Sequence, residues 1–232
     1  MLGPVVNAVV VIVCSLAGCF FIKNLPSRID ETIKKALGLF IIYIGIKGSL
    51  ENQRVLLMLM SLVAGAAIGE LINLDSLINR LGAWAEKRLN MGGERPFSKA
   101  FVSTTILYCT GSMIIIGSLQ SGLTGNHEIL FMKSILDGVA SVVFAASMGI
   151  GVAFSAVPLL IIEGGIVLLS GAIKDYLTPE IIREMSAVGS LIIAAIGFNF
   201  LGVKEIKVAN FVPAVFIPLV YILIEGFVLR SF

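Results

Sequence analysis

Residues 129–173 read ILFMKSILDGVASVVFAASMGIGVAFSAVPLLIIEGGIVLLSGAI, forty-five residues that hold three charged groups, Lys133, Asp137 and Glu163. A helix needs roughly 20 apolar residues to cross a hydrocarbon core about 30 Å thick. The stretch therefore reads as two crossings joined at Gly149-Ile150-Gly151. The rest of the chain has the same character, with 57% hydrophobic residues, 14% charged residues and a mean hydropathy of +1.01. A soluble domain of 232 residues has too little polar surface to cover that much apolar area. The sequence predicts an all-α integral membrane protein, a single transmembrane domain over residues 1–232 with no room for an extramembrane domain.

Apolar windows of roughly 19 residues mark about eight transmembrane helices, at 4–22, 33–50, 55–73, 101–122, 129–149, 151–173, 186–203 and 208–229. The second is the weakest, with Lys47 near its end. The beginning of the chain is apolar from Leu2 and lacks a charged n-region and an A-x-A-like site, so it reads as a retained first span. Residues 23–32, 74–99 and 174–185 stay outside the hydrocarbon. In 74–99, Leu77, Leu81 and Trp84 recur at helical spacing with Ile78, Ala85 and Leu89 beside them. Asn79, Arg80, Glu86 and Lys87 take the remaining surface, and Arg88 interrupts the stripe. This pattern predicts an amphipathic helix lying in the membrane interface.

Basic residues collect on the cytoplasmic side of membrane proteins. With the N-terminus outside, eleven Lys and Arg fall in cytoplasmic loops and six on the outer side. The bias puts both termini outside and 74–99 in the cytoplasm, as in a multi-pass protein of a bacterial inner membrane. A faint repeat pairs Leu25-Pro26-Ser27 through Ala36-Leu37-Gly38-Leu39-Phe40-Ile41-Ile42 with Leu177-Thr178-Pro179 through Ala187-Val188-Gly189-Ser190-Leu191-Ile192-Ile193. With eight spans, spans 1–3 and 6–8 run in opposite senses, the inverted repeat of many secondary transporters. Any two apolar hairpins with a turn also look somewhat alike.

Several functions are disfavoured. A net charge of +2 without a basic run gives no nucleic-acid surface. Cys14, Cys19 and Cys109 lie in apolar stretches without metal or redox spacing. There is no P-loop, no HExxH and no Ser/His/Asp set, and His127 stands in a short loop where it reads as solvated. No catalytic residue, cofactor or metal site is expected, and the chain is not read as an enzyme. The expected partners are the lipid bilayer and a small solute or ion. The oligomeric state stays open, a homo-oligomer included.

Ionisable groups inside a membrane are costly and usually face a bundle interior or an aqueous cavity. Lys133, Asp137 and Ser141 recur every four residues and share one helix face. They form either a functional site or an ion pair that locks helices together. Glu163 lies near mid-span between Pro158 and Gly164-Gly165, which suggests a bent helix with loosened backbone. Span 4 is unusually polar, from Thr104-Thr105 through Thr110-Gly111-Ser112 to Gln120, and predicts a break near Gly111 whose half-helices expose groups that could bind an ion. Hydroxyls bonding back onto their own helix are the plainer reading. Gly65 and Gly69, Gly149 and Gly151, and Gly197 with Gly202 permit close helix approach. Asn7, Asn199 and Asn210 read as caps or bridges between helices.

Certain motifs resemble a known family. These are Tyr108-Cys109-Thr110-Gly111-Ser112-Met113, Gly117-Ser118-Leu119-Gln120-Ser121-Gly122-Leu123-Thr124-Gly125, Lys133-Ser134-Ile135-Leu136-Asp137-Gly138 and Gly149-Ile150-Gly151-Val152. With Gly3 to Asn7 and Asn210-Phe211-Val212-Pro213-Ala214 near the two ends, the chain is similar to the bacterial YqgA-type membrane proteins, a family with a domain-of-unknown-function label. The resemblance implies a transporter-like layout and supports Gln120, Lys133 and Asp137 as motif positions. At Glu163 the family more often looks like Gln, which turns the expectation toward Asp137 as the functional carboxylate.

The function expected from the sequence is a transporter or channel for a small solute or ion. The alternative is a membrane scaffold or accessory that binds a partner or lipid. The topology is directly testable. Cysteines placed at Ser76 or Asn90 should react only with reagents that cross the membrane, and labelling from outside would overturn the orientation and the inverted repeat together.

Overall fold

The computed structural model describes residues 1–21, 27–80, 97–203 and 205–231, and among these the regular structure is entirely helical. In chain order the helices are α1 (Leu2–Phe21), α2 (Ser27–Ser49), α3 (Val55–Ile72), α4 (Phe97–Cys109), α5 (Ser112–Thr124), α6 (Glu128–Met148), α7 (Gly151–Phe154), α8 (Ala156–Ile173) and α9 (Pro179–Leu201). A 3-10 helix (Val208–Phe216) and α10 (Ile217–Ser231) follow. Among the described residues six helical segments are long and apolar enough to cross a bilayer, seven if the bent pair α4 and α5 is one span. The remaining expected span, 33–50, is helical within α2, but Lys34, Lys35 and Lys47 keep it off that count. Of the expected interfacial segment, 74–80 is helical and Leu77 is exposed, while 81–96, with Trp84, lies outside the described residues.

The chain forms two compact units. The first gathers residues 1–36, 76–109 and 113–171, and the second 37–75, 110–112 and 172–232.

In the first unit α1 packs along α6. Ala8, Val11 and Ser15 face inward on α1, while Val9, Val13 and Phe20 face outward. Glycines set how closely the helices approach. A Cβ on Gly138 of α6 would lie 2.6 Å from Val10 Cγ1, and one on Gly18 of α1 would strike the Val142 carbonyl. α4 ends at Cys109 and α5 begins at Ser112, with a 62° bend between them. Gly111 sits there at φ +117°, a region that glycine enters without steric cost. The break predicted in span 4 is present.

The bend expected around Glu163 falls elsewhere. The helix is interrupted at Ser155, between α7 and α8, and then runs unbroken through Glu163, Gly164 and Gly165 to Ile173. Pro158 has no N–H to offer the Phe154 carbonyl, and its ring crowds that group. The disturbance is therefore displaced one turn toward the N-terminus, and the two glycines are tolerated within regular helix.

In the second unit α9 is the most enclosed span, with 78% of its apolar window buried. Its start is well specified. Thr178 is the N-cap and accepts from the Ile181 N–H at 3.3 Å, Pro179 holds the first turn, and Glu180 meets the positive end of the dipole. Gly202 closes the helix in the left-handed conformation at φ +72°. α3 turns Leu57, Ser61, Gly65 and Gly69 inward at every fourth position and leaves Leu56, Met60, Val63 and Leu71 outside. Small residues inside and large apolar ones outside is the arrangement of a helix that faces lipid. Pro213 lies within the 3-10 helix that packs on this stripe. Asn7, Asn199 and Asn210, read from the sequence as caps or bridges, all bridge elements. Asn7 joins helices of the first unit, Asn199 ties α9 to the Ile206 backbone, and Asn210 joins the Asp75 N–H to the Glu70 carboxylate.

A Cβ on Gly69 would run into the Asn210 carbonyl, whereas one on Gly165 would meet nothing within 4 Å. Gly69→Ala should therefore destabilise the folded protein by about 1–3 kcal/mol through overpacking. Gly165→Ala should be neutral or stabilising by up to about 1 kcal/mol from helix propensity. Unfolding of the two variants in detergent compares them directly, and equal stabilities would refute the close packing of α3 on the 3-10 helix.

Candidate functional site

Four helices of the first unit bring polar side chains to one buried place. α6 supplies Lys133, Asp137 and Ser141, which lie on its inward face at 5%, 9% and 0% exposure. The Lys133 ammonium donates to Asp137 Oδ2, the contact expected for opposite charges one turn apart. α8 supplies Glu163, which has no exposed surface and whose Oε1 is 3.9 Å from Lys133 Nζ.

α1 supplies Asn7, also fully enclosed, and Gly138 lets that helix come near enough for so short a side chain to reach. Asn7 Nδ2 donates to Asp137 Oδ2 at 3.1 Å and to Glu163 Oε1 at 2.8 Å. One amide nitrogen thus uses both hydrogens to join two carboxyl groups. α4 supplies Tyr108, two residues before the break. Its hydroxyl lies 2.9 Å from Ser141 Oγ, and its ring centroid is 6.0 Å from Lys133 Nζ.

The two carboxyl groups differ in their partners. Asp137 Oδ2 accepts from a cation and from an amide, whereas Glu163 accepts on Oε1 from the neutral amide alone. Glu163 Oε2 and Asn7 Oδ1 are buried without a hydrogen-bond partner. Counted as ionised, the group holds one positive and two negative charges, an imbalance that costs several kcal/mol in a low-dielectric interior. Among the described residues no cluster of three or more His, Cys, Asp or Glu is placed to hold a metal ion.

Of the residues singled out in the sequence, Lys133, Asp137, Ser141 and Glu163 come together. Thr110, Gly111 and Ser112 form the break between α4 and α5, and no hydrogen bond of the cluster reaches them. Gln120 lies on α5, half-buried, with Oε1 unpartnered. His127 is half-buried rather than simply solvated, with Nδ1 2.8 Å from Ser121 Oγ. Asn7 and Tyr108 are members of the site that the sequence reading leaves out. The available signal for Asn7 is a lone amide inside an otherwise apolar span. For Tyr108 it is a phenol beside a predicted helix break.

Apolar helices of spanning length, small interior residues and a buried charged cluster define a multi-pass helical membrane protein. The chain belongs to the family described as "Protein of unknown function (DUF554)", which matches residues 2–223. It is 30% identical over 223 residues to "Uncharacterized protein YqgA" of Escherichia coli (strain K12), covering 94% of this chain and 95% of that protein. It is 28% identical over 235 residues to "Uncharacterized membrane protein YdfK" of Bacillus subtilis (strain 168), covering 99% of this chain and 100% of that protein. No solved structure matches the chain.

Removing one partner of a buried pair leaves an uncompensated charge. Lys133→Met should lower stability by about 3–5 kcal/mol. Adding Asp137→Asn should recover most of that loss, and adding Glu163→Gln should recover little, because the ammonium bonds to Asp137. Chemical denaturation of the single and double variants measures this, and recovery by Glu163→Gln alone would reassign the ion pair.

Proposed function

We propose that this protein is a transporter or channel for a small solute or ion, with the Asn7, Lys133, Asp137 and Glu163 cluster as its binding locus. The observation that carries the reading is the unmatched charge. A pair that merely locks helices together needs one cation and one anion, yet a second carboxyl group is held in the same enclosed space with one oxygen unpartnered. Tyr108 and Ser141 extend the site toward the end of α4. A helix break such as that at Gly111 is the kind of helix end whose amides and carbonyls can bind an ion, and Gln120 lies further along α5. The sequence repeat supports an inverted arrangement of spans, and the basic-residue bias supports a bacterial inner membrane with both termini outside.

One observation favours the second reading, a scaffold or accessory without transport. Asp137 is satisfied by Lys133 and Asn7, as a structural ion pair would be. Reconstitution separates the two. Proteoliposomes on a supported membrane, exposed to jumps in proton, sodium or potassium concentration, should give a transient current for the wild type. Asp137→Asn should abolish it while changing stability by no more than about 1–2 kcal/mol, because Glu163, 3.9 Å away, then takes over as the partner of Lys133. If folded wild-type protein gives no current with any of the three ions, transport of those ions is refuted. If Asp137→Asn unfolds and the double change Lys133→Met with Asp137→Leu restores stability, the pair is structural and the scaffold reading gains.

A further inference from the structure

We propose that the cluster binds one proton, held on the Glu163 carboxyl group, and that release of this proton draws the Lys133 ammonium from Asp137 toward a position shared by both carboxylates. The proposal rests on reading the cluster as an ion-handling site, and it concerns binding rather than flux.

The groups that face Glu163 come from each helix packed around it. α1 presents the neutral amide of Asn7, α6 presents Lys133 and Asp137, and α4 presents the thiol of Cys109, with Tyr108 beside Lys133. Lys133 is the one cation of the group, and its hydrogen bond goes to Asp137. An ionised Glu163 would then be an enclosed anion with a single neutral donor at 2.8 Å and a second oxygen with none. Leaving such an oxygen charged costs more than leaving a neutral hydroxyl unpaired. Placing the proton on Asp137 fits worse, because its Oδ2 already accepts two donors, one of them cationic, as an anion does. With the proton on Glu163, the cluster carries one positive and one negative charge and is balanced.

Release breaks the Glu163 O–H bond and passes the proton to water, and no electrons are exchanged. The new carboxylate attracts Lys133 Nζ, now 3.9 Å from Oε1, over the last ~1 Å to hydrogen-bond distance. That movement changes the ammonium's position under the Tyr108 ring at the end of α4, next to the break at Gly111.

Infrared spectroscopy of the purified full-length protein in nanodiscs tests this. The wild type at neutral pH should show the C=O stretch of a protonated carboxyl group, lost on titration to alkaline pH. Glu163→Gln should lack that band. Glu184→Gln should keep it, since Glu184 is the other deeply buried glutamate among the described residues and bonds to the Gln53 N–H and to Arg183. Asp137→Asn should also lack it, because Lys133 is then free to pair with an ionised Glu163. Should Glu163→Gln fail to fold, 13C-glutamate labelling of the wild type and of Glu184→Gln identifies the band instead. The proposal is overturned if the neutral-pH band is absent from the wild type, if it survives Glu163→Gln, or if sodium at constant pH removes it, which would mark a sodium site. A band without liposome currents refutes transport of the ions tried and leaves the proton site standing, whereas currents without a band do the reverse.

Discussion

An ammonium enclosed in an apolar helical bundle must be met by a carboxylate, and the first unit is organised around meeting that of Lys133. The four-residue spacing on α6 places Asp137 within reach, and the packing of the neighbouring helices keeps the pair largely out of solvent. Close approach of α1 depends on Gly18 and Gly138, since a side chain at either would push the helices apart. That approach carries Asn7 to Asp137, and Asn7 in turn fixes Glu163 on α8. The site is thus a consequence of how the helices pack as much as of which residues bear charge.

The second unit applies the same packing rule, and among its described residues there is no buried Lys or Arg. Its interior line on α3 is made of small residues, and the large apolar side chains point outward. In water such an arrangement would expose far more apolar area than a soluble domain tolerates, while in a bilayer the outward leucines and valines are already solvated by lipid. Charge in this unit is gathered at span ends. Arg54 pairs with Glu180 at 2.8 Å and with Glu225, and Lys207 pairs with Glu70 at 3.3 Å. These partly exposed pairs cost little to form and contribute little, in contrast to the enclosed pair of α6.

The residues that were legible in the sequence are those whose meaning is local. Lys133, Asp137 and Ser141 share a face because of helical spacing, and Gly111 breaks its helix because a polar run with glycine sits amid bulky neighbours. What was illegible depends on tertiary proximity. Nothing local says that Asn7, at the start of the chain, lies against Asp137 and Glu163, or that Tyr108 faces Ser141. The expected bend around Glu163 shows a different limit. Proline and glycine both weaken a helix, yet only proline removes a hydrogen bond that must be broken somewhere, and it does so at the carbonyl four residues earlier. The break therefore belongs to Ser155, and Glu163 projects from a regular helix that holds it firmly against α1.

That firmness bears on how two carboxyl groups of the same chemistry come to differ. Asp137 rides on the same helix as its cation, so the pair persists as long as α6 stays helical. Glu163 reaches Lys133 only across the packing of α8 on its neighbours, at 3.9 Å, and its hydrogen bond comes from a third helix. Asn7 of α1 bonds to both acids, so Lys133 of α6 is the partner that only Asp137 keeps within its own element. Two acids of the same chemistry thus stand in unlike surroundings within one site. The contact of Asp137 with Lys133 is set by sequence spacing within α6, and that of Glu163 by the tertiary packing of three helices.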